Sequence, residues 1–158
     1  MIRWQAIGSN LMKNIPNNLF FSWIESELSQ GRSAQFRVKG NSMFPLLSNG
    51  KDSVVLCRCN TADLKPMDVV LFRYRGSYVL HRIISRDGEF LSIQGDGSYV
   101  AKETCTTDDV VGKVTAVVRK SGRRVSTNSW EWRIPSFIWR NTGIFRTTFL
   151  KILHRIMR

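Results

Sequence analysis

Between residues 34 and 120 the chain is a series of short apolar runs separated by tight-turn residues, and this alternation limits the fold more than any other feature. AQFRVKG, SVVLCR, DVVLFRYR, SYVLHRIIS, GEFLSIQG and DDVVGKVTAVV are rich in Val, Ile, Leu and Phe. Asn49-Gly50, Arg75-Gly76, Asp87-Gly88 and Gly95-Asp96-Gly97 punctuate them. Branched and aromatic side chains suit a pleated, half-buried surface, and Gly, Asn and Asp supply the turn geometries. No long helical pattern intervenes. The spacing therefore predicts a mainly β fold, a coiled, partly closed antiparallel sheet.

Two flanks differ from this core. Residues 1–33 form an N-terminal extension that is helical in its second half: Phe20, Ile24 and Leu28 recur every fourth residue, Asn17 or Asn18 offers a cap, and Gly31 stops the pattern. This helix is expected on the domain edge. Residues 121–158 begin with a loop, SGRRVSTNS, and continue as a basic, aromatic segment, helical after Pro135 and interrupted near Gly143. On a helical wheel Ile138, Phe145, Phe149, Ile152, Leu153 and Ile156 share one side, and Lys151, His154, Arg155 and Arg158 the other.

Charge follows the same division. Residues 1–110 hold 13 Lys and Arg against 11 Asp and Glu, whereas residues 111–158 hold 11 against 1. An acidic partner is expected for the tail: an anionic membrane surface or a protein, with Trp130, Trp132 and Trp139 suited to an interfacial belt. Packing of the aromatic stripe on the β core is the alternative. Nucleic acid is disfavoured because no base-reading motif accompanies the arginines.

Three cysteines, Cys57, Cys59 and Cys105, are too few for a disulfide framework and lack zinc spacing, so they read as buried free thiols in a reducing compartment. No cofactor or metal is called for. No window reaches the about 18 to 20 apolar residues of a membrane span, and the N-terminus lacks a signal peptide's apolar centre. The expectation is a cytoplasmic protein, held peripherally at the inner membrane face if the tail binds lipid.

KGNSMFPLL, residues 39–47, places Ser42 after a Gly-Asn pair and fixes the backbone with Pro45. Such a serine is either a turn residue or a nucleophile, and a nucleophile needs a base. The chain has two histidines. His154 lies in the basic tail. His81 lies within SYVLHRIIS, where alternation gives it a face with Val79 and Ile83 and turns Arg82 to the other. His81 is thus either a satisfied core residue or a rigidly held base.

The ordered motifs carry a resemblance. GNSMFPLL resembles the G-x-S-M-x-P box of the signal peptidase I family and of the self-cleaving repressors that share its fold. In order, LKPMDVVLFRY, SYVLHRII, IQGDGS and DDVVGKV are similar to that family's Asp-preceded strand, base-bearing strand, Gly-Asp box and closing strand, covering about residues 36–117. Histidine rather than lysine on the base-bearing strand places the resemblance in the Ser-His branch. It implies a catalytic domain over residues 34–120, with Ser42 as nucleophile and His81 as general base. Asp96 of the Gly-Asp box is the candidate for orienting or supporting the site; the acids that follow are Glu103, Asp108 and Asp109. Met43 and Pro45 would shape the substrate floor and fix the loop, and the Ser42 amide would serve the oxyanion.

The function implied is cleavage of an extended peptide or leader segment, with small substrate side chains near the cut. The family's N-terminal membrane anchor and the repressors' helix-turn-helix domain are both absent from the 35 or so residues before the serine box. Two alternatives stay open: an inactive module of this fold that binds a membrane or partner through its tail, and a regulator that cleaves only itself.

Overall fold

The computed structural model describes the backbone of residues 4–5, 14–15 and 17–156 and the side chains of residues 19–156. Strands β1 (Trp4–Gln5) and β2 (Asn14–Ile15) form a small antiparallel pair. Helix α1 (Asn17–Ser29) follows. Then come β3 (Ala34–Arg37), β4 (Ser53–Cys57), β5 (Val69–Tyr74), β6 (Ser77–Asp87), β7 (Phe90–Gln94), β8 (Glu103–Thr106), β9 (Val110–Val118) and β10 (Arg124–Ser126). Helices α2 (Trp130–Asn141) and α3 (Gly143–Ile156) end the described chain.

Strands β3 to β10 form one antiparallel sheet of eight strands. The order is β3-β4-β9-β5-β6-β7-β8, with β10 also pairing with β9. The expected partial closure is replaced by this open path. Strand β9 inserts between β4 and β5, so the two halves of the sheet join through it. The register shifts along β9 at Val55/Leu56 and at Leu71/Phe72. Such shifts bend and twist a sheet locally, which gives coiling without closure.

Each expected strand appears; the β1–β2 pair was not foreseen, nor were two short strands of the large sheet, β8 and β10. Their sequences, ETCT and RVS, are too short and polar to show alternation. The sheet buries side chains on both faces. One face carries Phe36, Val54, Leu56, Val69, Leu71, Leu80, Val114 and Val117 beneath α1. The other carries Val70, Phe72, Ile83, Leu91 and Ile93. Residues 80–83 of β6 are all buried, so this strand is covered from both sides.

Helix α1 lies on the sheet face rather than at its edge. Phe20, Ile24 and Leu28 are all buried. The Phe20 ring meets Phe36 edge-on at 5.5 Å, and Phe21 stacks on Tyr78 at 4.0 Å. Glu25 accepts from Arg73 and from the Tyr78 hydroxyl, tying the helix to β5 and β6. A stripe of three fully desolvated residues gains more by covering a sheet than by lining its border. The side-chain cap expected from Asn17 or Asn18 lies outside the described residues, as does Arg158 of the tail.

The tail is two helices. The first starts five residues before Pro135, at Trp130, with Ser129 preceding it and accepting main-chain bonds from Trp132 and Arg133. Helix α2 ends before Gly143, whose φ of +46° favours glycine, and this is the interruption the sequence suggested. The side turned to the core is Trp132, Ser136, Arg146 and Leu150. Ile138, Phe145, Phe149, Ile152 and Ile156 are exposed. Of the three cysteines, all are unpaired; Cys105 is buried and Cys57 and Cys59 are half-buried.

Because Phe20 is completely buried against Phe36, a Phe20→Ala protein should lose about 3–5 kcal/mol of stability. Urea unfolding followed by far-UV dichroism measures it; a loss below about 1 kcal/mol would show that α1 is not integral to the core.

Candidate active site

Ser42 stands in the loop joining β3 to β4. The loop leaves the sheet at Val38 and returns at Asp52, where the Val38 amide donates to the Asp52 carbonyl at 2.9 Å. Two side chains pin it from below: Met43 and Leu47 are buried in the core under α1. Asp52 accepts from the Ser48 amide and from the Arg119 guanidinium, and Arg119 also donates to the Leu46 carbonyl. The Phe44–Pro45 peptide is cis. Ser42 itself is exposed at the top of this fixed loop.

Met43 is therefore an anchor for the loop, as expected, with its side chain in the core. Pro45, half-buried, faces a cavity, which it shares with Leu46 and with Trp139, Phe145 and Phe149 of the tail helices.

The Gly-Asp box meets the serine loop directly. The Gly97 amide donates to the Ser42 carbonyl at 2.8 Å. Glycine is needed here for space. A Cβ on Gly97 would overlap the Asn41 carbonyl oxygen. One on Gly95 would overlap the Ser42 carbonyl oxygen and stand 3.0 Å from His81 Nε2. The Ser42 carbonyl and the His81 ring thus both close on the space beside the Gly95 α-carbon. Among the described residues the Ser42 hydroxyl has no hydrogen-bond partner. Catalytic hydrogen bonds are often loose before substrate arrives.

His81 is 7% exposed and lies, as alternation requires, on the face that carries Ile83 and Phe72, with Arg82 on the other. Its Nδ1 is 3.1 Å from Glu103 Oε2. A carboxylate at that position accepts the Nδ1 proton and leaves the Nε2 lone pair facing Gly95 and the serine loop. Burial pushes the imidazole pKa below its ordinary 6.5; Glu103, and more weakly Asp96, oppose that shift without reversing it. The ring is consequently neutral at neutral pH, the form a general base needs.

Glu103 replaces Asp96 as the group on the histidine. Asp96 has no exposure, and its two carboxylate oxygens are held by Arg82, Nε to Oδ1 at 2.9 Å and Nη2 to Oδ2 at 2.8 Å. Arg82 is equally buried, donates also to the Met67 carbonyl, and lies 5.4 Å from the centre of the Trp132 ring. A buried guanidinium demands a carboxylate in this bidentate geometry. Asp96 therefore supports the site by fixing the box rather than by touching the ring. Of the other acids named from sequence, Asp109 accepts from the Thr106 amide and hydroxyl and closes the turn after β8. Asp108 is exposed and stands in that same turn.

Sequence reasoning gave Glu103 no weight above its neighbours. Its place comes from register: Ile83 faces Ile93 on β7, and Ile93 faces Glu103 on β8. His81, two residues from Ile83, shares that face. The one local signal was Cys105, an apolar side chain two residues on, which turns Glu103 inward by the same alternation.

The tail helices hold the box from behind. Trp139 Nε1 donates to the Asp96 carbonyl at 2.9 Å, Arg146 reaches the Ser98 carbonyl, and Arg140 donates to the Gln94 side chain. Burial, reinforced by Arg146, holds the Arg140 pKa down to about 10. Among the described residues no group of three His, Cys, Asp or Glu is arranged to bind a metal ion. No protein-family model and no curated protein matches this chain.

A proton NMR titration of the two imidazoles tests the electrostatics. His81 should titrate below 6.5, and Glu103→Gln should lower it further, because the carboxylate stabilises the protonated ring. A His81 midpoint that rises in Glu103→Gln would contradict the contact.

Proposed function

We propose that the protein is a serine endopeptidase in which Ser42 is the nucleophile and His81 the general base. One observation carries this reading: His81 Nε2 and the Ser42 main chain close on the same space beside Gly95, while Nδ1 is held by Glu103. A buried histidine that served only the core would have no reason to face an exposed serine loop with its free nitrogen. The ordered likeness of GNSMFPLL, SYVLHRII and IQGDGS to the Ser-His branch of the signal peptidase-like serine peptidases supports the same assignment.

In this reading an extended peptide lies over the serine loop. Nε2 takes the Ser42 proton as Oγ forms a bond to the peptide carbonyl carbon. The charge that develops on the carbonyl oxygen is met by the Ser42 amide, which donates to no partner among the described residues. The C–N bond then breaks, and the imidazolium returns its proton to the leaving amine. Water, deprotonated by the same Nε2, releases the acyl group. Glu103 keeps the ring in the correct tautomer, and the Arg82–Asp96 pair keeps the box where Gly95 and Gly97 can touch the serine loop. The substrate class is a peptide or leader segment presented without secondary structure.

A peptidyl phosphonate, followed by mass spectrometry of the digested protein, tests the assignment. A single adduct is expected on Ser42, absent in Ser42→Ala and reduced at least about a hundredfold in His81→Ala. Absence of any adduct across a panel of phosphonates, in folded protein, would instead leave a binding module without catalysis.

A further inference from the structure

Helices α2 and α3 present an apolar surface that the core does not use. Phe145 is 82% exposed and Ile138 and Ile152 are each 55% exposed. Ile138, Phe145 and Phe149 line one groove with Pro45 and Leu46 of the serine loop, and Phe149 meets Trp139 edge-on at 5.7 Å. The surface therefore joins the two helices and continues to within three residues of Ser42.

Its surroundings are basic. At 100° per residue, Phe145, Phe149, Ile152 and Ile156 fall within one narrow sector of α3. Lys151 and Arg155 flank that sector on the side away from buried Arg146 and Leu150, and both are exposed. Residues 130–156 contain a single acid, Glu131, and it is paired with Arg123. A second copy of the chain would bring like charges together on this face. An anionic lipid surface takes the protruding side chains without a matching shape and places phosphates beside Lys151 and Arg155. Among the described residues no helix is long and apolar enough to cross a membrane, so the helices would lie along the surface.

We propose that α2 and α3 dock the protein on an anionic membrane, with Ile138, Phe145, Phe149 and Ile152 in the interface and Lys151 and Arg155 at the phosphates. The serine loop then sits at the lipid surface. Given the peptidase reading, on which this consequence rests, the substrate is a peptide lying on or emerging from that membrane. The same helices hold the Gly-Asp box through Trp139 and Arg146, so the docking surface and the site are joined by direct hydrogen bonds.

Vesicle flotation tests the docking with the full chain. Wild-type and Ser42→Ala proteins should both float with vesicles of phosphatidylcholine mixed with phosphatidylglycerol. The double variant Phe145→Ser/Ile152→Ser should lose at least about tenfold in bound fraction at an unchanged melting temperature. Lys151→Gln/Arg155→Gln should lose the preference for mixed over pure phosphatidylcholine vesicles. The proposal is overturned if wild type does not float, or if the apolar double variant floats equally well. It is also overturned if sedimentation velocity finds a dimer that this variant dissolves, since the face then belongs to a second copy. Retained flotation without phosphonate labelling would count against the peptidase reading and leave the docking intact.

Discussion

The buried ion pair between Arg82 and Asp96 is the constraint on which the rest of the site depends. Both side chains are wholly removed from water, which is costly for each charge, and the bidentate geometry with a further bond to the Met67 carbonyl offsets that cost. Removing one partner would strand the other at a cost of about 3–5 kcal/mol. The pair fastens the Gly-Asp box to β6, and β6 is the strand that carries His81. Asp96 is held by Arg82, and its neighbours Gly95 and Gly97 lie against the serine loop. The box is thus a bracket between the two groups proposed to react.

Around that bracket each surrounding element restrains one degree of freedom. Met43 and Leu47 set the height of the serine loop, and Asp52 with Arg119 sets its return path. Glu103 sets the rotation and tautomer of the imidazole. Trp139 and Arg146 close the back of the box by binding its carbonyls. The tail is therefore neither a plain basic appendage nor only an aromatic stripe on the core. Its inner side completes the site and its outer side remains apolar and cationic.

Much of this was legible in period-two alternation. Val79, His81 and Ile83 share a face, Arg82 takes the other, and the turns at Arg75-Gly76 and Asp87-Gly88 set the lengths of β5, β6 and β7. What alternation cannot give is which strands become neighbours. The insertion of β9 between β4 and β5, and the placing of β8 beside β7, bring together residues far apart in the chain, so Glu103 gained no local mark as the histidine's partner. Asp96 misled for a related reason: the Gly-Asp-Gly string shows an acid near the site but not that the residue beside His81 claims it. The helical wheel grouped the tail's apolar stripe, and the structure leaves most of that stripe exposed; Arg146, polar on the wheel, is instead turned inward to the box carbonyls. The glycines were read as turn residues, whereas Gly95 and Gly97 are required by close approach of another chain segment.

In the proposed mechanism Ser42 and His81 act as one unit. The most direct measurement is the second-order rate constant for phosphonate modification of Ser42 as a function of pH, set beside the NMR titration of His81 in the same protein. The rate should rise with pH along a single limb, whose midpoint coincides with the His81 titration and moves down with it in Glu103→Gln. A rate that increases simply with hydroxide, or a midpoint that stays in place when the His81 titration shifts, would contradict that mechanism.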